Sequence, residues 1–195
     1  MGSGLSSDWY ARFLESLQTD GAAAPLRDAA ILGQLGKWTK ALTSLTCEAC
    51  SAMGWHASAK GHISAILPVP RSEYLALDVV AFESVGERRW RFPVAVFELE
   101  NSKNDDLVAY SLWKVLCVRA KLRVLFCYRQ DADEGTALVR YLSEQVAHAM
   151  ELQDRTALTG ETYLVVGSRN EATTFPYGFF KNWLFDTNVG RFVRS

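Results

Sequence analysis

The chain has 195 residues, 49% hydrophobic and 22% charged, with a formal net charge of −1. That length suits a single domain with a full core, and the charge balance gives no bulk signal for a nucleic-acid partner, so any such contact needs a local basic patch. No apolar run approaches the ~20 residues that cross a bilayer. The start, Met1 to Ser7, lacks a basic stretch followed by an apolar one, so no signal peptide and a cytoplasmic location are expected.

In chain order, Ser7-Asp8 is placed to cap a short helix with Trp9, Phe13, Leu14 and Leu17 on one face. Gln18 to Ala24 reads as a linker around Asp20-Gly21. Pro25 starts a long helix with Ile31, Leu35, Trp38, Leu42 and Leu45 at spacings of three and four, running to Met53. His62 to Leu67 predicts a first strand ended by Pro68 and Pro70, and Glu73 to Phe82 a second. Glu83 to Arg88 is a turn, and Trp90 to Leu99 a third strand.

Asn101 to Asp106 is polar and caps a helix carrying Val108, Leu112, Val115 and Leu116. Leu122 to Tyr128 is a fourth strand, Asp131 to Gly135 a turn, Thr136 to Leu152 an amphipathic helix, and Thr162 to Val166 a fifth strand. The tail from Phe175 to Phe192 is aromatic and reads as irregular. The expected class is α/β, with a mixed sheet flanked by helices on both faces. One domain results: helix and linker over 1–24, a core over 25–167, and an aromatic extension over 168–195.

One residue stands out in the second strand run. Asp78 has apolar neighbours on both sides, and an ionised carboxylate there is costly without a cation or hydrogen-bond partner. The third strand run ends in Glu98-Leu99-Glu100. With the turn centred near Glu87, Asp78 pairs opposite Val96 and shares a face with Glu98, its diagonal neighbour at ~7–8 Å. Carboxylates so placed suit one hard cation such as Mg²⁺, which keeps several waters beside one or two carboxylates. A one-residue slip would send Asp78 to the opposite face.

Asp on the second strand, Glu-x-Glu ending the third, and the order helix, three strands, helix, strand together resemble the PD-(D/E)xK nuclease superfamily, the restriction-endonuclease-like fold. The likeness covers Leu26 to Val166. Its segments are Phe97 to Lys103 with Glu-x-Glu-Asn, Tyr110 to Leu116 with Trp113-Lys114, and Leu122 to Tyr128. The resemblance implies that Asp78 and Glu98 ligate Mg²⁺, or Mn²⁺ in its place, helped by the backbone carbonyl of Leu99. Glu100 stands where the superfamily usually has lysine, and Leu77 where it has proline; the resemblance implies that Glu100 or a lysine orients or deprotonates the attacking water. A relocated lysine is sought at Lys114 first and at Lys103 second. A solvated helix lysine is the competing reading of Lys114. Glu48 matches the glutamate that many members carry on the helix before the first strand.

The activity so implied is metal-dependent hydrolysis of nucleic-acid phosphodiesters, with DNA the first expectation, leaving a 5′-phosphate and a 3′-hydroxyl. Lys60, Lys103, Arg169 and Lys181 are candidate phosphate contacts in or beside loops. The alternative is an inactive nuclease-fold protein that binds nucleic acid or protein. A homodimer, or a partner that delivers the chain to nucleic acid, fits the near-neutral charge. Cys47, Cys50, Cys117 and Cys127 lie in apolar segments and read as reduced, buried thiols. The CxxC of Cys47 and Cys50 has no second pair at zinc-ribbon spacing and reads as core packing. Phe175, Tyr177, Phe179, Phe180, Trp183 and Phe185 either close the domain or stack bases, with packing preferred.

Overall fold

In the computed structural model, which describes residues 4–19, 21–84 and 89–195, the apolar runs pair into one sheet. Its strands are β1 (Trp55–Ala59), β2 (Val79–Glu83), β3 (Ala95–Leu99), β4 (Leu122–Arg129), β5 (Glu161–Ser168), β6 (Phe180–Asp186) and β7 (Arg191–Arg194), side by side in chain order. β2 runs antiparallel to both of its neighbours, β1 and β3; β3 to β5 run parallel, and β6 and β7 return antiparallel. The sheet is mixed, as expected, with seven strands rather than five. Asp20 of the expected linker and residues 85–88 of the expected turn lie outside the described residues, as do residues 1–3.

The helices are α1 (Leu5–Gln18), α2 (Ala23–Ile31), α3 (Leu35–Ala52), α4 (Asp105–Leu116), α5 (Ala132–Leu142) and α6 (Leu152–Ala157). The single long helix expected from Pro25 is two. Gly33 at φ +64 stops α2 in the left-handed conformation that glycine takes at helix ends. Ile31 and Leu35, expected in the core, flank that break and are exposed. Asp131, expected in a turn, is the N-cap of α5 and accepts from Asp133 N and Glu134 N. A π-helical turn, Ser143–Ala147, ends this helix earlier than its periodicity suggests.

Three strand assignments change, each for a local reason. The first strand is Trp55–Ala59, not 62–67. Gly61 at φ +85 turns the chain, and the following residues form only isolated bridges, Ala59 with His62 and Ser64 with Arg71. The second strand begins at Val79, because Leu75 (φ 59) and Ala76 (φ 52) are left-handed and break any extended run. The third begins at Ala95. Pro93, which has no N–H for a ladder, separates it from the exposed Trp90 and Phe92. The aromatic tail is not irregular. It supplies β6 and β7, with Phe179, Phe180, Trp183 and Phe185 buried. Burial favours the packing reading of this segment over base stacking.

Helices cover both faces of the sheet. On one face α1, α2 and α3 pack against Val79, Ala81, Phe97, Val124 and Phe126. The Trp9 ring lies 4.9 Å from Phe97, and Phe13 lies 5.2 Å from Phe126. On the other face α4 and α5 cover Val80, Phe82, Val96, Leu125 and Leu164. Strand alternation therefore sends even-numbered side chains of β2 and β3 towards α4.

The start of α1 is capped from a distance rather than by Ser7-Asp8. Gly4 occupies the N-cap without a side chain, and the Glu161 carboxylate on β5 accepts from Leu5 N (3.2 Å) and Ser6 N (2.6 Å). An anion there also meets the positive end of the helix. Glu161→Ala should therefore destabilise the fold by about 1–2 kcal/mol, read as a shift in denaturant midpoint. An unchanged midpoint would mean that water caps this helix equally well.

Candidate functional site

The sheet topology collects one edge. β2 runs against β3, while β4 and β5 run with it. The start of β2 thus meets the ends of β3, β4 and β5. Ligands commonly bind beyond the carboxyl ends of parallel strands, where connecting loops converge. Asp78 and Glu98 sit at this edge, and the loops after the three strand ends add Glu100, Lys103 and Arg169.

The observed register pairs Val79 with Phe97 and Val80 with Val96. It differs by two residues from the expected pairing of Asp78 with Val96. Being even, the shift leaves every side chain on its expected face. Asp78 is not mid-strand; it immediately precedes β2, with its backbone N–H 3.4 Å from Glu98 Oε1. Its own Oδ2 accepts from Leu99 N at 2.8 Å. The two carboxylates therefore clasp the same rung from opposite strands, closer than the diagonal relation expected.

Lys114 completes the group. Its ammonium, on the inner flank of α4, lies 2.8 Å from Glu98 Oε2 and donates to Ala76 O at 2.9 Å. Glu98 is 4% exposed. Burial pushes its carboxyl up to about 7, against the pull of the Lys114 hydrogen bond, and the Asp78 charge adds to the rise. Burial also raises Asp78, opposed by the Leu99 N–H and Lys114, with Glu100 and Glu73 adding to the rise. Lys114 is thus a partner of the carboxylates, and not a freely solvated helix lysine.

The remaining candidates separate. Glu100 turns to its own loop, accepting from Ser102 N (2.7 Å) and from Ser111 Oγ of α4 (3.2 Å). Glu48 is exposed on α3, whose packing is with the opposite sheet face, and no interaction links it to Asp78 or Glu98. Lys60 is exposed in the turn after β1. Lys181 is 12% exposed and pairs with Glu171, also donating to Ser168 Oγ (3.3 Å) and Gly178 O (3.2 Å).

Lys103 and Arg169 share a cavity of about 670 Å³ with Arg129, Arg140, Glu134 and Glu144. The Arg169 guanidinium lies 4.3 Å above the Tyr128 ring. Arg129 donates to Asp105 Oδ1 (2.5 Å) and to Ser102 O (3.1 Å), fixing the loop between β3 and α4. Glu98 stands opposite Leu125, four residues before Arg129 and about 13 Å from it along β4. Arg129, Arg140 and Ser111 were not singled out from sequence. An arginine ending the run of β4, in which Arg123 is the one other charged residue, was the available signal for Arg129.

Among the described residues, no three His, Cys, Asp or Glu side chains converge as a ready metal-binding group. Two carboxylates do converge, and the donor set suits a hard cation. Glu98 already has the Lys114 ammonium at Oε2 as a positive neighbour, while Asp78 Oδ1 takes no hydrogen bond from the described residues. Asp78 and Glu98 therefore fit Mg²⁺ or Mn²⁺ as one or two carboxylate ligands completed by water. Of the cysteines, Cys47, Cys50 and Cys127 are buried, but Cys117 is exposed, contrary to expectation, because it lies just past the end of α4. Burial pushes the Cys47 thiol up to about 12 and Cys50 well above its ordinary value, which suits core thiols rather than thiolates that bind zinc. No helix among the described residues is long and apolar enough to cross a membrane.

Comparison with known proteins finds no matching family model, no matching curated protein and no matching solved structure. The functional reading rests on the chemistry of the site.

The raised carboxyls carry a pH signature. A native state that holds protons more tightly than the unfolded chain is most stable below the ordinary carboxyl value and loses stability as pH rises towards the folded value. For Glu98 the window runs from about 4.5 to about 7. Wild-type stability should fall across it by an amount on the order of 3 kcal/mol. Glu98→Gln should flatten most of that decline, as read from denaturant midpoints at pH 5 and pH 7.5. Equal slopes in the two proteins would place the titration elsewhere.

Proposed function

We propose that this chain is a divalent-metal-dependent phosphodiesterase acting on nucleic acid, DNA first, built on a restriction-endonuclease-like core. The observation that carries the reading is Lys114. From the helix after the third strand it delivers an ammonium 2.8 Å from Glu98, beside Asp78, although the motif position on the strand itself holds Glu100. Two carboxylates and a lysine are the groups this chemistry requires, here with the lysine supplied by α4. The α-β-β-β-α-β order of α3, β1, β2, β3, α4 and β4 agrees with such a core.

Asp78 and Glu98, with the Leu99 carbonyl, would hold the ion. When bound, Mg²⁺ or Mn²⁺ supplies a water of lowered pKa and offsets phosphate charge. Lys114 positions the attacking water and stabilises charge developing on a non-bridging phosphate oxygen. Its place in a regular helix holds the ammonium without a loop's freedom. Glu100, engaged by Ser102 N and Ser111 Oγ, braces the loop rather than taking the proton. Lys103 and Arg169, with Arg140, offer positive charge for the phosphate backbone farther along the edge.

A second reading has its own observation. Lys114 already neutralises Glu98, and Glu48 and Glu100 do not join the pair. A lysine that replaces the cation permanently would leave a nucleic-acid-binding module without catalysis.

Incubating the protein with plasmid, linear and single-stranded DNA in Mg²⁺ or Mn²⁺ separates the two. The enzyme reading expects cleavage abolished by Asp78→Ala and reduced about 10²–10⁴-fold by Lys114→Met, the scale of losing one positioned catalytic group. Cleavage persisting unchanged in Asp78→Ala would overturn the site. No cleavage of DNA or RNA, with no heat of metal binding by calorimetry, would establish the second reading.

A further inference from the structure

α4 presents two different faces. Val108, Ser111, Leu112 and Val115 are buried against the sheet. The opposite face of a surface helix is ordinarily polar, yet here Leu107, Tyr110 and Trp113 are half exposed, Tyr110 and Trp113 at 57% and 55%. Those two rings stack on each other, 6.0 Å between centroids and 26° between planes. Lys114 Nζ, the group that pairs with Glu98, lies 5.9 Å from the centre of the Tyr110 ring. An aromatic platform and the buried carboxylate therefore share one lysine within a single helical turn.

Past the end of α4 the pattern repeats. Arg119 stands 6.0 Å over Phe92, which is exposed, as is Trp90. The two acids at the start of the helix are engaged: Asp105 with Arg129, and Asp106 as acceptor from Tyr141. A face of exposed rings, with Lys114 beside Tyr110 and Arg119 beside Phe92, complements an anionic backbone carrying flat bases. Sequence-tolerant single-strand binding uses that combination. Protein interfaces share the enrichment in aromatics and arginine but are depleted in lysine, the residue that here stands between the rings and the carboxylates. A duplex keeps its base faces stacked on each other and offers none to Tyr110 or Trp113.

We infer that the occupant of this face is single-stranded nucleic acid, its unpaired bases stacked on Tyr110 and Trp113 and its backbone led past Lys114 to Asp78 and Glu98. This deepens the nucleic-acid reading of that site and rests on it for the occupant, while the test does not need catalysis.

The test is fluorescence anisotropy of a labelled oligothymidine 20-mer and of a mixed-sequence 20-base-pair duplex, at low salt and in EDTA. The single strand should bind more tightly. Tyr110→Ala and Trp113→Ala should each raise its Kd about 5- to 150-fold. Trp113→Phe should restore most of the affinity. Because both rings are on the surface, circular dichroism should show all variants folded. Equal affinity for duplex and single strand, or alanine variants that bind like wild type, would overturn the inference. So would a concentration-dependent dimer in light scattering that Trp113→Ala dissolves, since the face would then belong to a second copy. Platform-dependent binding without cleavage under any metal would uphold this inference and remove the enzymatic reading. Cleavage of duplex indifferent to Tyr110 and Trp113 would do the reverse.

Discussion

A buried carboxylate and the lysine that neutralises it hold the functional edge together. Glu98 projects from the end of β3 into the layer beneath α4, where an uncompensated charge is not tolerated. Lys114 meets it there and also ties down Ala76 O, so one ammonium joins β3, α4 and the turn before β2. Asp78 N and Leu99 N close the remaining gap through the two carboxylates. Removing either member of a buried pair generally costs about 3–5 kcal/mol, whereas replacing both by apolar groups is often neutral. An arrangement of this kind, with three ionisable groups at the sheet edge where strand ends and loops converge, is better understood by its chemistry than by its contribution to stability.

The turn that leads to Asp78 points the same way. Leu75 and Ala76 are both left-handed without being glycine, a conformation that costs about 1–2 kcal/mol per residue. Such backbone persists where surrounding contacts impose it, and it concentrates at functional sites. Here the carbonyl of Ala76 is one of the two acceptors of Lys114, and the next residue but one is Asp78. Around this centre the edge changes character in two directions. Towards β4 and β5 it becomes a cavity with Lys103, Arg140 and Arg169. Along α4 it becomes aromatic, with Tyr110 and Trp113 exposed.

The face of each carboxylate was legible in the sequence, because strand side chains alternate strictly and the two-residue difference in register does not change parity. Lys114 was legible as a candidate, since a lysine next to Trp113 in a regular helix has a defined direction. What escaped was backbone conformation at particular points. No composition rule announces two left-handed residues at Leu75 and Ala76, and Gly33 ended a helix whose apolar spacing continued smoothly through it. The tail misled because dense aromatics resemble an irregular closing segment, while their burial depends on β5 being there to receive them. Glu48 misled because its helix periodicity could not say which sheet face α3 would cover. The cap on α1 was invisible for a similar reason, as Glu161 lies more than 150 residues away in sequence.

The most direct measurement of this account is a carbon NMR titration of the Glu98 side-chain carboxyl, assigned with Glu98→Gln, without and with Mg²⁺. The account predicts a midpoint near 7 in the absence of the ion and a marked fall when Mg²⁺ is added, because a hard cation favours the carboxylate. A midpoint in the ordinary glutamate range, indifferent to Mg²⁺, would contradict it.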